Sequence, residues 1–132
     1  MNTKTIWIIA VVVIIIAIIG GGVWLYTAQS AQAAKLSAFA TCVKNSGAKM
    51  YGAFWCPHCQ DQKAMFETLF DSAVPNLPYV ECSTPDSNGQ LQVCKDLGIK
   101  VYPTWKFADG TSNEGELTLK DLAAKTNCAA PN

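Results

Sequence analysis

The chain carries, directly after a strand-like run at 49–54, the six residues Trp55-Cys56-Pro57-His58-Cys59-Gln60. A helical pattern follows them, so the C-x-x-C pair stands where a strand ends and a helix begins. A sulfur at a helix N-terminus lies against the positive end of the helix dipole and against unpaired backbone N–H groups, which favours the thiolate of Cys56. Cys59 lies one turn further into the helix and can resolve a mixed disulfide. The placement predicts a redox dithiol, with Cys56 as the exposed nucleophile and Cys59 as the shielded resolving cysteine.

Three other residues of the motif are expected to tune the Cys56 thiolate. Pro57 suits the first helical position, because the N–H that proline lacks has no partner there in any case. His58 can place an imidazolium or an N–H donor near the Cys56 sulfur, and Trp55 completes the motif on the strand side. We expect no cofactor beyond the redox-active disulfide between Cys56 and Cys59.

Two other uses of a C-x-x-C pair compete with this interpretation. A structural zinc site needs a second C-x-x-C or a histidine cluster, but Cys82 and Cys94 are too far apart to supply one and His58 is the only histidine. Ring strain disfavours a purely structural disulfide in so short a loop. We expect no metal, and a copper or zinc carrier that uses Cys56, Cys59 and His58 as ligands remains the alternative.

An uncharged apolar segment fills residues 6–26. At about 1.5 Å of rise per residue it is long enough to cross a bilayer core of about 30 Å. Trp7, Trp24 and Tyr26 stand where interfacial aromatic residues occur. The segment predicts a single transmembrane signal anchor. A cleaved signal peptide competes with it, because Ala31-Gln32-Ala33 resembles a cleavage site.

The cysteines favour one orientation of this anchor. The chain has six of them, and so many in a small domain fit an oxidising compartment in which disulfides persist. We therefore expect a single-pass protein of the cell membrane, with residues 1–5 cytoplasmic, 27–34 a tether that merges into the first helix, and a domain at 35–132 on the extracytoplasmic side.

The charge pattern gives no sign of a polyanionic partner. Basic and acidic residues balance at ten each, and every basic residue is a lysine. A diffuse and balanced pattern is typical of a solvated surface, so we expect no nucleic acid partner. Membrane contact is expected only through 6–26.

Hydrophobic periodicity and turn residues predict a mixed α/β domain with one sheet. The expected elements are a helix through 36–43, a strand at 49–54, a dithiol helix of about fifteen residues, a strand at 77–82, a short helix at 90–97, strands at 104–107 and 111–116, and a last helix that begins at Thr118. The apolar stripe of the dithiol helix comprises Met65, Phe66, Leu69 and Phe70. Lys63 and Glu67 are spaced as an i,i+4 pair on its outer side.

Two separated stretches make the chain resemble the thioredoxin superfamily over residues 35–128. They are Tyr51-Gly52-Ala53-Phe54-Trp55-Cys56-Pro57-His58-Cys59 and Val101-Tyr102-Pro103-Thr104. The resemblance implies a thioredoxin-like fold, a central mixed sheet flanked by helices, with a cis-proline at Pro103 facing the dithiol. It also implies that Tyr102 and Pro103 shape a substrate groove. Without the dithiol, these two residues would be interpreted as a core aromatic and a turn proline.

Within the superfamily the chain is most similar to the thioredoxin-like domain associated with vitamin K epoxide reductase homologues. The similarity rests on Phe39-Ala40-x-Cys42, the run 47–55, Pro78-Tyr79-Val80-Glu81-Cys82-Ser83 and Tyr102-Pro103-Thr104-Trp105. It implies that a quinone-linked membrane partner oxidises the dithiol, which then passes its disulfide to exported cysteine-containing proteins. One candidate span is present, so we expect a vitamin K epoxide reductase-like partner to be a separate protein.

Two departures from cytosolic thioredoxins favour an oxidant. Those proteins carry a buried Asp six residues before the first Cys, where this chain has Met50, and a Gly-Pro dipeptide in place of Pro57-His58. The Pro-His pair is typical of periplasmic disulfide oxidases. The sequence therefore predicts a thiol–disulfide oxidoreductase that donates disulfides, with a membrane-anchored reductase or isomerase as the alternative.

The four remaining cysteines are expected to form two structural disulfides. Cys82 and Cys94 flank one polar loop, which leaves Cys42 and Cys128 on two helices that the fold could bring together. For Cys82 and Cys94 the alternative is two free buried thiols. For Cys42 it is a shuttle thiol that exchanges with a partner protein.

Overall fold

The computed structural model describes residues 2–68 and 71–131. Within these residues the chain forms four helices, four strands and one short 3-10 turn. In order they are α1 (Thr3–Asn45), β1 (Lys49–Gly52), α2 (Pro57–Ala64), the 3-10 turn (Val74–Asn76), β2 (Tyr79–Glu81), α3 (Gln92–Asp96), β3 (Thr104–Lys106), β4 (Ser112–Glu114) and α4 (Leu119–Thr126). Each strand lies within the predicted range and is shorter than it.

The strands form one mixed sheet in the order β2-β1-β3-β4. β1 pairs with β2 in parallel, Met50 lying opposite Tyr79, and with β3 in the antiparallel sense, Met50 lying opposite Trp105. Because β1 and β2 are parallel, their carboxyl ends lie at the same edge of the sheet. The dithiol follows β1 at that edge. The mixed sheet flanked by helices confirms the predicted fold class.

Helix α1 is unbroken from the apolar segment into the domain. By its length and composition, the N-terminal part of this helix could cross a membrane. The mean hydropathy of its most apolar 18-residue stretch is 3.0. The tether residues at 27–34 belong to the same helix. Further along, the helix buries one face against the sheet through Leu36, Phe39, Ala40 and Val43.

The sheet separates two unequal cores. The larger core holds the buried faces of α1, α2 and α4 together with Met50 and Trp105. The smaller core, under α3, consists of Tyr51, Cys82, Cys94 and Ile99. Both cysteines of the dithiol belong to the larger core.

The prediction of about fifteen residues for the dithiol helix is wrong, because α2 has 8 residues and ends at Ala64. After Ala64 the chain forms a tighter turn, because the Phe66 N–H donates to Lys63 O, three residues back, at 2.9 Å. It then turns back on itself through a bridge between Glu67 and Ser72. Phe66 is buried and stacks on Phe39 at a centroid distance of 5.8 Å. Leu69 and Phe70 lie outside the described residues.

Helix α4 begins as its sequence predicts. The Thr118 Oγ1 accepts a hydrogen bond from the Asp121 N–H at 3.1 Å, which satisfies one of the N–H groups that have no partner inside the helix. The helix ends at Thr126, and its C-cap residue Asn127 has a left-handed φ of 57°.

Candidate active site

Cys56 is the N-cap residue of α2 and Pro57 is its first helical residue. The Cys59 N–H donates to Cys56 O at 3.1 Å, so the second cysteine lies within the first turn. Both thiols are free. Cys56 is 6% exposed and Cys59 is 0% exposed. Of the two residues, Cys56 keeps a small solvent-exposed surface and Cys59 is fully buried.

The prediction that Cys56 is exposed is wrong, because Cys56 is buried. Its thiol lies 3.6 Å from the backbone carbonyl of Tyr102, to which it donates a hydrogen bond. The Tyr102–Pro103 peptide bond is cis. Through the contact with Tyr102 O, the segment before β3 lies against the Cys56 sulfur.

Cys59 is seated on Gly52, the last residue of β1. A Cβ at Gly52 would lie 2.6 Å from the Cys59 Sγ and 2.9 Å from the Tyr79 Cε2. Real Cβ atoms do not approach other atoms so closely, so any side chain at this position would displace the resolving cysteine or the tyrosine. Gly52 is thus a positioning residue, and a lone glycine inside the strand predicted at 49–54 gave only a weak signal of it.

Burial raises the pKa of the Cys59 thiol to about 12. A backbone hydrogen bond involving Ala53 acts against burial, the neighbouring Cys56 adds to it, and the charge of Lys63 lowers the value again. A buried thiolate loses its hydration, which is why the neutral form is favoured. Cys59 therefore remains a thiol at neutral pH in the reduced protein.

Glu81 ties the end of β2 to the loop that carries the dithiol. Its carboxylate accepts hydrogen bonds from the Ser83 N–H at 2.8 Å and from the Tyr79 hydroxyl at 2.8 Å. A longer bond of 3.3 Å reaches it from the Phe54 N–H. Burial raises the pKa of Tyr79, and its hydrogen bond to Glu81 adds to the effect. The sequence placed Tyr79 and Glu81 on a strand but gave no sign of these contacts.

Trp55 and Tyr102 line the outer side of the site. The Trp55 Nε1–H donates to the Ser83 Oγ at 2.8 Å, and the two aromatic rings meet edge to face at 6.2 Å. The Tyr102 hydroxyl accepts from the Gln90 Nε2–H at 2.7 Å. Trp55 is nevertheless 50% exposed. Both residues are thus held in fixed positions and remain partly open to a ligand.

His58 points away from the sheet, toward the β4–α4 connection. Its Nδ1 lies 2.6 Å from the Glu116 Oε1. One donor atom each of His58, Asp61 and Glu116 lies within 4.8 Å of the others, and all three side chains are exposed. Among the described residues, His58 is therefore grouped with carboxylates and not with the two sulfurs that a Cys56–His58–Cys59 metal carrier would use.

The buried side-chain amide of Gln62 joins the dithiol helix to neighbouring segments by hydrogen bonds. Gln62 is 0% exposed, and its side-chain oxygen accepts from the Leu117 N–H at 2.8 Å and from the Trp105 Nε1–H at 3.2 Å. Its Nε2–H donates to Leu117 O at 3.0 Å. These bonds join α2 to β3 and to the start of α4. Polarity at position 62 indicates a surface residue, so sequence reasoning missed this one.

The other four cysteines form two pairs. Cys82 and Cys94 are joined with a Cα–Cα distance of 5.6 Å, and Cys42 and Cys128 with a Cα–Cα distance of 6.0 Å. The first pair is next to the site, because the Cys82 N–H donates to Gly52 O at 2.7 Å. The second pair ties α1 to the residues that follow α4.

A mixed sheet with a dithiol at a helix N-terminus, and with a backbone carbonyl beside the first sulfur, defines a thiol–disulfide oxidoreductase domain. The family model described as Thioredoxin matches residues 31–127, and the chain belongs to the thioredoxin family.

A similar protein in Arabidopsis thaliana is named as a thiol-disulfide oxidoreductase. The chain is 43% identical over 93 residues to the thiol-disulfide oxidoreductase LTO1. The match covers 67% of this chain and 23% of that protein, so the chain spans less than a quarter of the relative's length.

Proposed function

We propose that this protein is a membrane-anchored disulfide donor that oxidises cysteine pairs in exported proteins. The observation that carries the proposal is the asymmetry of the dithiol. Cys56 is at the helix N-terminus and is 6% exposed, whereas Cys59 is 0% exposed and its pKa is raised to about 12. Such a pair directs an incoming thiolate to one sulfur.

The proposed reaction begins with the Cys56–Cys59 disulfide. A substrate thiolate attacks the Cys56 sulfur, a new S–S bond forms, and Cys59 leaves with the electron pair of the broken bond. A second substrate thiolate then attacks the substrate sulfur of this mixed disulfide and releases Cys56 as a thiolate. The substrate has lost two electrons and carries a disulfide, and the enzyme dithiol is reduced. Stabilisation of the Cys56 thiolate makes the oxidised protein a stronger oxidant.

The groove beside Tyr102 and Pro103 is proposed to bind the substrate. Backbone groups around Pro103 can pair with an extended peptide as an added strand. Phe54, Trp55 and Val101 are 44%, 50% and 42% exposed, and apolar side chains of this size suit the unfolded segments of newly exported chains.

Residues 6–26 are proposed to anchor the protein in the cell membrane, with 1–5 cytoplasmic and the domain at 35–132 outside. Two joined cysteine pairs besides the dithiol support an oxidising compartment. We propose that a separate vitamin K epoxide reductase-like membrane protein reoxidises the dithiol.

The equilibrium potential of the dithiol tests the direction of the reaction. The full chain in detergent is equilibrated with glutathione redox buffers, and the thiols of Cys56 and Cys59 are counted by alkylation and mass spectrometry. We expect a potential more oxidising than about −200 mV, since thioredoxin lies near −270 mV and the bacterial oxidase DsbA near −120 mV. A value near that of thioredoxin contradicts the oxidase and favours the reductase.

Two matched variants show whether the dithiol carries the activity. In the presence of a reduced two-cysteine peptide, Cys56→Ser is expected to be inactive. The variant with Cys59→Ser keeps the nucleophile and is expected to accumulate a mixed disulfide at Cys56 when it meets an oxidised peptide. A variant without Cys56 that still oxidises the peptide would rule out the mechanism.

A further inference from the structure

We propose that Lys63 stabilises the Cys59 thiolate as it leaves the Cys56–Cys59 disulfide, and that the ring of Tyr79 holds the Lys63 ammonium group in position. The inference rests on the proposed function and assigns a residue outside the C-x-x-C motif to its chemical step. Lys63 is expected from sequence to pair with Glu67. The structure instead places its Nζ 3.7 Å from the centroid of the Tyr79 ring.

The step needs a stabilising charge because Cys59 leaves in a buried place. Its side chain is 0% exposed, so the water that would solvate a leaving thiolate is excluded. Burial raises the pKa of this thiol to about 12, which measures how unfavourable the anion is. Met50, the strand residue in the middle of β1, carries no charge that could help.

The geometry brings Lys63 to the required side of the helix. Lys63 follows Cys59 by four residues on α2, so the two side chains lie on the same face. The Tyr79 ring and the Cys59 sulfur both lie within 3 Å of the point where Gly52 lacks a Cβ, at 2.9 Å and 2.6 Å. The ring under the ammonium group therefore adjoins the reacting sulfur.

The ring itself is fixed at its other end. The Tyr79 hydroxyl donates to the Glu81 carboxylate at 2.8 Å, and Glu81 is held in turn by the Ser83 N–H at 2.8 Å. A cation over the face of a fixed aromatic ring gains from the ring quadrupole and loses little freedom of movement. Tyr79 is thus a positioning residue for Lys63.

The other charged or titratable groups near Cys59 do not provide this stabilisation. Cys56 acts against the Cys59 thiolate, and the acidic side chain of Glu81 lies at the hydroxyl end of the Tyr79 ring. His58 is paired with Glu116 on the outer side of the helix. Lys63 is the charged side chain that favours the anion.

The charge on the Cys59 sulfur during the reaction determines which rates Lys63 would change. Cys59 is neutral in the disulfide and neutral again as the thiol of the reduced protein, and it is charged only while the S–S bond breaks or forms. A group that stabilises this transient charge speeds the reaction in both directions by the same factor. It leaves the equilibrium with glutathione unchanged.

The experiment uses the full chain in detergent and three variants. Lys63→Met keeps the length of the side chain and its packing on the ring but loses the charge. Lys63→Arg keeps the charge. Lys95→Met, on α3 at the opposite face of the sheet, is the matched control. Stopped-flow tryptophan fluorescence gives the rate at which reduced glutathione opens the disulfide, and the rate at which oxidised glutathione restores it.

For Lys63→Met we expect both rates to fall about tenfold, less than the roughly 100- to 1000-fold that the loss of a directly hydrogen-bonded oxyanion donor costs. The equilibrium constant should stay within about twofold, Lys63→Arg should keep most of both rates, and Lys95→Met should match the original chain. Tyr79→Leu removes the ring and is expected to slow both directions while the charge remains.

Three results would overturn the role of Lys63. They are an unchanged rate in Lys63→Met, a loss in only one direction with a shifted equilibrium, and a Lys63→Arg variant as slow as Lys63→Met. An original chain that glutathione cannot open at all would contradict the proposed function, and the role of Lys63 with it.

Discussion

The two faces of the sheet are stabilised in different ways. The larger core packs three helices against the sheet and is closed by large buried side chains such as Phe66 and Trp105. The smaller core has α3, a helix of 5 residues, and a disulfide takes up much of its interior. A face with little apolar area can be held by a covalent link instead. The dithiol belongs to the larger core, where packed side chains dominate and the Cys42–Cys128 disulfide adds one link between α1 and the end of α4.

The largest loss in the free energy of unfolding is expected from a substitution in the larger core. Phe66→Ala removes a ring that is 0% exposed and stacked on Phe39, and it should lower the free energy of unfolding by about 3–5 kcal/mol. Urea denaturation of the full chain in detergent measures this loss. A loss below about 1 kcal/mol would show that the helical face does not depend on its packing.

The matching change on the smaller face is the removal of its disulfide. Replacement of both Cys82 and Cys94 by Ala should lower the free energy of unfolding by about 3 kcal/mol, because the link closes a loop of 12 residues in the unfolded chain. The Cys56→Ser, Cys59→Ser double variant is the control, and it should be affected far less than this one. Equal losses in the two double variants would contradict the comparison.

A smaller effect is expected from the buried amide between the dithiol helix and α4. Gln62→Leu keeps the volume but leaves the Leu117 backbone groups and the Trp105 Nε1–H without a partner. Unpaired buried polar groups should cost about 2 kcal/mol in the free energy of unfolding. Gln60→Leu removes a hydrogen bond to Phe54 O at an exposed position of the same helix, and it is the control for the loss of a hydrogen bond without burial. A Gln62→Leu variant as stable as its control would show that these bonds contribute nothing net.

The smallest effect is one of pH on the reduced protein. Burial raises the pKa of Cys59 from 9.0 to about 12, so the folded state binds a proton more tightly than the unfolded state. The stability that follows is complete below pH 9.0 and is lost as the pH rises toward about 12. The loss should be about 1 kcal/mol per pH unit within this window.

Three forms of the protein isolate this contribution. Urea denaturation at pH 9 and pH 10 is compared for the reduced protein, the oxidised protein and reduced Cys59→Ala. Lysines and tyrosines titrate in all three, and Cys59 titrates only in the first. Equal pH dependence in the three forms would contradict the assignment.

The parts of the molecule that sequence predicted are those set by local chemistry. The order of helices and strands follows from periodicity, and the start of α4 follows from Thr118 and Asp121. The place of the dithiol at a helix N-terminus follows from Pro57 and from the strand before it. Each of these depends on residues a few positions apart.

The parts that sequence missed depend on contacts between distant segments. The end of α2 is set by a turn that pairs Glu67 with Ser72, which overrides the apolar stripe that predicted a longer helix. Gly52, Tyr79 and Glu81 meet the dithiol only because β1 and β2 are parallel neighbours. No spacing within one element indicates such a meeting.

Helix α1 fixes the orientation of the domain about the helix axis, relative to the apolar segment. Since the helix is continuous from Thr3 to Asn45, each residue inserted between Tyr26 and Ala33 would turn the whole domain by about 100° and raise it by about 1.5 Å. Two added residues would point the dithiol to nearly the opposite side. Seven would restore the heading to within about 20° and raise the domain by about 10 Å. The number of helical residues between the apolar segment and the domain therefore determines the direction in which the dithiol faces.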